Sequence, residues 1–150
     1  MKKHKLISFD QKFIALLNKY SVPIARVSLF IVFFWFGILK VFGLSPAGPL
    51  AEALTARTVG MQYFDTLFLG LSLIECLIGV LFLIPKTTRI VIPLLLVHMA
   101  VVCSPLVLTP DLVWQQPFVP SLEGQYIIKN VAIVALALGI AASTKPLRSK

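Results

Sequence analysis

Charge is scarce in this chain: 13% of its 150 residues are Asp, Glu, Lys or Arg, against 58% hydrophobic. A soluble domain carries roughly a quarter charged residues, so the composition excludes one. The mean hydropathy of +0.92 points instead to a polytopic membrane protein. Four spans would occupy most of the length, so any catalytic soluble domain would belong to another chain. Cysteine is scarcer still. Cys76 and Cys103 lie inside apolar runs and form no CxxC, which sets thiol-oxidising chemistry aside. There is no Gly-rich phosphate loop, nucleophile elbow or HExxH, and one intramembrane His with one Glu is too small a ligand set for a metal. No basic stripe interleaved with aromatics accompanies the net charge of +8, so nucleic acid is not an expected partner. In a membrane protein that excess reports orientation and contact with anionic headgroups.

Apolar runs are abundant. Thr66–Pro85 (TLFLGLSLIECLIGVLFLIP) is long enough to cross a hydrocarbon core of about 30 Å, and its one charge is Glu75. Three further spans are expected, giving approximate limits of 22–43, 64–85, 88–108 and 122–143. Pro23 is expected to open the first, in keeping with the tolerance for proline in a helix's first turn. Before it, Phe9, Phe13, Leu16, Leu17 and Tyr20 share one helical face, and Ser8 and Gln11 have capping-box spacing. Residues 1–21 are therefore read as a basic segment with an amphipathic helix in the membrane interface. No A-x-A-like site follows, so the first span is expected to be retained.

Between the first two spans, Gly-Pro signals mark a loop with a short helix around Leu50–Arg57. Pro105 is expected to kink the third span, because it leaves the Val101 carbonyl without its helical donor. Trp114, in the 109–121 loop, suits an interfacial anchor. Ser121 is placed to cap the fourth span, with Glu123 in its first turn. Bases crowd the amino-terminal region, the 86–89 turn and the 146–150 tail, whereas the two opposite loops hold one, Arg57. By the positive-inside rule both termini are cytoplasmic. The fold class that follows is an all-α, up-down four-transmembrane-helix bundle, occupying residues 22–145.

Depth can then be counted at 1.5 Å per residue from the loop-side ends of the spans. Glu75 falls roughly 16 Å in and His98 roughly 15 Å in; Lys40 and Lys129 fall about 5 Å and 6 Å in, and Arg26 about 25 Å. Ionisable groups from all four helices thus fall into two layers. Gly37 shares a face with Lys40, and Ser72, Glu75 and Gly79 form one stripe, suiting close helix approach. Gln125, Tyr126 and Lys129 lie together on the fourth span. The candidate set is Glu75 and His98 as a proton relay, with Lys40, Lys129, Arg26, Glu123, Gln125 and Tyr126 as binding groups. Each has a plainer reading. The lysines and Arg26 can snorkel, His98 can be a neutral core residue, and Glu75 can be a packing ion pair.

Several of these residues occur together in motifs. Residues 26–40 (RVSLFIVFFWFGILK) carry an Arg, an apolar run and G-x-x-K; Leu73–Arg89 carries E-x-x-x-G before a short basic turn; Glu123–Asn130 reads EGQYIIKN. In this order they resemble the DoxX-like membrane proteins, most closely the YkgB-type group linked to reactive-chlorine resistance, over roughly residues 22–143. The loop after the first span is shorter than in that group, and His98 belongs to none of the motifs. The resemblance implies a four-helix bacterial inner-membrane protein with a redox or oxidative-stress role, at most the membrane subunit of an oxidoreductase complex. It brings quinone as the cofactor class and a soluble or membrane redox partner, and is compatible with a homo-oligomer. Two other functions stay open: transport or binding of a small anion or protons, and a non-catalytic assembly subunit.

Overall fold

The computed structural model describes residues 2–146, with side chains from Ile7 onward. Arg148 and Lys150, two of the tail bases counted for orientation, lie outside the described residues. Seven helices run in the order α1 (Lys2–Val41), α2 (Gly48–Thr58), α3 (Phe64–Leu83), α4 (Thr88–Cys103), α5 (Pro105–Leu108), α6 (Pro110–Val113) and α7 (Leu122–Ala142). Four helical segments are long and apolar enough to cross a membrane: α1, α3, α4 with α5, and α7. In the bundle α1 packs on α3, α3 on α4, α4 on α7, and α7 back on α1. The core they enclose includes Leu29 and Phe33 of α1, Ile78 and Phe82 of α3, Val91 and Leu95 of α4, and Ala137 and Ile140 of α7. Large apolar side chains such as Trp35, Val97 and Val131 cover the outside, as a lipid-facing surface requires. The chain is a multi-pass, all-α membrane protein.

Three details differ from the sequence expectation. First, Pro23 does not open a helix. It lies inside α1, which is one continuous helix of 40 residues and about 60 Å. A proline here removes one donor, that for the Lys19 carbonyl. Lys19 is exposed, so its carbonyl is free to find another partner. For the same reason Ser8 is a mid-helix residue and caps nothing. The amphipathic segment is thus an extension of the first span. Its residues from Ile7 to Ser21 are exposed and clear of the rest of the chain, with the Phe9 and Phe13 rings stacked 6.3 Å apart.

Second, the helix break expected at Pro105 falls at Ser104, a single turn residue with helical backbone angles between α4 and α5. The Val101 carbonyl is not orphaned, because the Ser104 amide reaches it at 3.2 Å and the Ser104 hydroxyl donates to it at 2.8 Å. Third, the 109–121 segment is more ordered than a plain loop. It contains α6 and a two-stranded hairpin, β1 (Trp114–Gln116) with β2 (Val119–Pro120). The Trp114 indole N–H donates to the Leu106 carbonyl at 3.0 Å, which ties the hairpin to α5.

The short helix expected near Leu50–Arg57 is α2, and the Ser121 cap is present, accepting from the Gly124 amide at 3.1 Å. On the loop side Arg57 of α2 holds Asp111 of α6 through both guanidinium ends, one contact being 2.7 Å. Both side chains are exposed. The hydrogen bonds from Arg57 hold the Asp111 carboxyl below the usual carboxylate range. A depressed acid contributes stability above its unfolded value, and loses it as pH falls through the folded value. Protection factors in α2 and α6, corrected for the intrinsic exchange rate, should therefore be flat from pH 8 down to about 5 and should fall below about pH 4. Asp111→Asn should remove that acid-dependent step; a step that survives in the variant belongs to another group.

Candidate functional site

The site is built on the α1–α3 contact, the most extensive in the bundle. Gly37 makes it possible. A Cβ at that position would lie 2.7 Å from the Cys76 Sγ and 2.9 Å from the Ser72 carbonyl oxygen. Gly79 does the same from the other helix, where a Cβ would stand 2.9 Å from the Phe34 amide nitrogen. Ser72 is fully buried and turns its hydroxyl back onto the Phe68 carbonyl of its own helix, so it adds no bulk between the helices. Gly37 of α1 with Ser72 and Gly79 of α3 thus form a helix-packing seam.

That seam sets the register of the charges. Gly37 stands level with Ser72 and Cys76, and Gly79 level with Phe30 and Phe34. Lys40 is therefore about one helical turn, roughly 5 Å, from Glu75 along the bundle axis. The lysine Nζ donates to both carboxylate oxygens of Glu75. Depth counting had set these groups in separate layers, and the structure merges them. Side chains on a helix lean toward its N-terminus, so on antiparallel α1 and α3 Lys40 and Glu75 lean toward each other. Lys40 also occupies the last turn of α1, where the helix dipole favours a cation.

His98 of α4 completes the cluster. Its Nε2 lies 3.3 Å from Glu75 Oε1, in keeping with the shared depth read from sequence. The Phe33 ring covers the imidazole edge-on at 5.9 Å between centroids. Phe33 is an aromatic neighbour the sequence reading missed, although its i,i+7 spacing to Lys40 places both on one face of α1. Side-chain exposure is 10% for Lys40, 6% for Glu75 and 2% for His98, so the cluster is closed to bulk water.

The chemistry follows from the pairing. Both carboxylate oxygens of Glu75 accept from the Lys40 Nζ. Two lone pairs facing each other at the Nε2 contact would repel, so His98 carries its proton on Nε2. Its other nitrogen, Nδ1, then presents a lone pair, and this buried atom has no hydrogen-bond partner. A proton taken up at Nδ1 would create an imidazolium whose Nε2 proton faces a carboxylate. Lys40, Glu75 and His98 are thus joined in one buried polar cluster.

The remaining candidates lie elsewhere. Arg26 is buried but does not join the cluster; it donates to the Phe82 carbonyl at 3.1 Å and to the Thr88 hydroxyl at 2.7 Å. Phe82 is in the last turn of α3, so Arg26 satisfies an orphan carbonyl at that helix's negative end. Thr88 carried no sequence signal for this role. Lys129 points outward, its Nζ 5.1 Å from the centre of the Tyr126 ring. It sits two residues from buried Ile127, about 200° around α7, so it faces away from the bundle interior at the depth assigned to it. Gln125 and Tyr126 are exposed on the same side, and Glu123 accepts from the Ser121 hydroxyl at 2.9 Å. Both cysteines are free. Among the described residues, no three His, Cys, Asp or Glu side chains gather as metal ligands would.

Two measurements check this geometry. Nitrogen-15 NMR of His98 in bilayers at neutral pH should show a protonated Nε2 and a bare Nδ1; the reverse tautomer would contradict the Glu75 contact. In a double-mutant cycle, Lys40→Met alone strands a buried carboxylate and should cost roughly 3–5 kcal/mol. Adding Glu75→Gln should recover much of that loss in thermal unfolding, and strict additivity would show that the two groups are not coupled. Comparison of the chain with models of known protein families, with curated proteins and with solved structures finds no match in any of the three.

Proposed function

We propose that this chain is a redox-linked membrane subunit of a bacterial inner membrane, in which Lys40, Glu75 and His98 exchange the proton that accompanies electron transfer to or from a quinone-type carrier. The observation that carries the reading is the unpartnered Nδ1 of His98 beside an ion-paired carboxylate. Reduction of a quinone to a quinol takes up two protons with two electrons, so a carrier inside the membrane needs a proton-exchanging group within reach. A partner protein would supply the electrons. The DoxX-like resemblance supports the redox assignment, and the distribution of bases supports cytoplasmic termini.

The anion-binding alternative has less support, because Lys40 is engaged by Glu75 and Lys129 faces away from it. A subunit whose polar cluster only fixes helix register is the stronger rival, and the close Lys40–Glu75 pairing favours it. Photo-crosslinking with a quinone analogue in native membranes separates the two. Labelled peptides from α1, α3 or α4 are expected, with quinone-linked proton uptake falling about a hundredfold in His98→Phe. If no helix of the cluster is labelled, and Glu75→Gln changes only thermal stability, the quinone reading is overturned in favour of the register role.

A further inference from the structure

At the end of the bundle away from the loops, a cavity of about 480 Å³ is lined by Val22, Pro23, Arg26, Val27, Leu83, Pro85, Ser143 and Thr144. We propose that it is a binding site for the phosphate of an anionic phospholipid, with the apolar wall holding the start of an acyl chain. Its position suits a lipid. Val22 to Val41 of α1 covers about 30 Å, so Val22–Val27 lies at one boundary of the hydrocarbon core. Leu83 ends α3, and Ser143 and Thr144 directly follow α7. Every wall of the cavity is therefore the end of a span, where headgroups meet acyl chains.

Its chemistry is two-faced. Val22, Pro23, Val27, Leu83 and Pro85 give an apolar side. Arg26 gives the polar one: it has five N–H donors, and its two recorded hydrogen bonds, to Phe82 and Thr88, leave others for a ligand. Ser143 and Thr144 add hydroxyls, each now donating to the Ile140 carbonyl, whose oxygen atoms can still accept or be re-aimed. Among the described residues no acid lines the cavity, and the bases Lys86 and Lys145 each directly follow a lining residue. Arg89 donates to the Lys145 carbonyl at 2.7 Å, which keeps a further cation beside Thr144. A buried guanidinium with free donors and no carboxylate partner is the arrangement that a phosphate oxygen satisfies. Depth alone lets Arg26 either snorkel or join the polar cluster; its place in the cavity wall suits it to a phosphate oxygen instead.

Lipid retention tests the proposal directly. The full chain is reconstituted in nanodiscs with equal amounts of phosphatidylglycerol and phosphatidylcholine, released, and examined by native mass spectrometry. Phosphatidylglycerol should remain bound in preference, by about fivefold or more given roughly 1 kcal/mol per nearby base. Val27→Trp fills the cavity without touching the Arg26 hydrogen bonds and should abolish the preference, whereas Trp35→Phe on the lipid-facing surface should leave it. Should Val27→Trp fail to fold, Thr144→Val removes one hydroxyl and should reduce the preference severalfold. Inorganic phosphate added at millimolar concentration identifies the source: failure to compete supports a lipid headgroup, and full displacement shows a free-phosphate site and overturns the lipid assignment. Equal retention of the two lipids, or an unchanged preference in folded variants, overturns the proposal.

Discussion

A carboxylate in the middle of a hydrocarbon layer has to be neutralised, and the pairing of Glu75 with Lys40 is the constraint on which the rest of the bundle depends. A lysine one turn away can reach the acid only if the helix backbones come close. Gly37 and Gly79 permit that approach, and Ser72 folds its hydroxyl away from the seam. The polar contact and the small residues are two parts of one solution. Neither is useful alone, since close packing without the pair leaves a stranded charge, and the pair cannot form across bulky side chains.

The spans were legible because hydropathy, length and turn residues all report on the same physical event, the transfer of helices into lipid. Limits within a few residues followed for α3 and α7, and the Ser121 cap could be read from residue type and position. Glu75 and His98 could be set at one level because they lie at similar distances from their own span ends. Lys40 could not, for two reasons. Its depth was counted from Gly43, whereas the Gly37 contact sets α1 deeper against α3. Counting also ignores the lean of side chains, which on antiparallel helices brings two groups together by several ångströms.

Facing was harder to read than depth. Lys129 has the right level and the wrong direction, and the signal lay in buried Ile127 two positions before it. Beyond Asn130 the α7 sequence is uniformly apolar, so periodicity alone did not pick out its inner face. The proline at 23 misled for a different reason. Proline is common at helix starts, but nothing forbids it within a long helix where one lost hydrogen bond falls on an exposed turn. Its position in α1 shows that the amphipathic extension and the first span share one axis.

Polar contacts also distinguish the four spans from one another. Lys40 and Arg26, some fourteen residues or about 21 Å apart on α1, engage α3 near its middle and at its end. The same two levels reach α4, through His98 at Glu75 and through Thr88 at Arg26. Helices α1, α3 and α4 are therefore stitched together twice by buried charge. Among the described residues, α7 has no such stitch within the membrane layer; it is held by apolar packing, with the Arg89 contact to the Lys145 carbonyl beyond its end. Shifting α3 would strand a charge in a low-dielectric layer, at a cost of several kcal/mol. Within the membrane layer α7 has dispersion contacts in place of such a charge, and its start is fixed where the Ser121 amide donates to the Val113 carbonyl at 2.9 Å. The bundle thus consists of a charged three-helix frame and one helix that, within the membrane layer, is held against it by apolar packing.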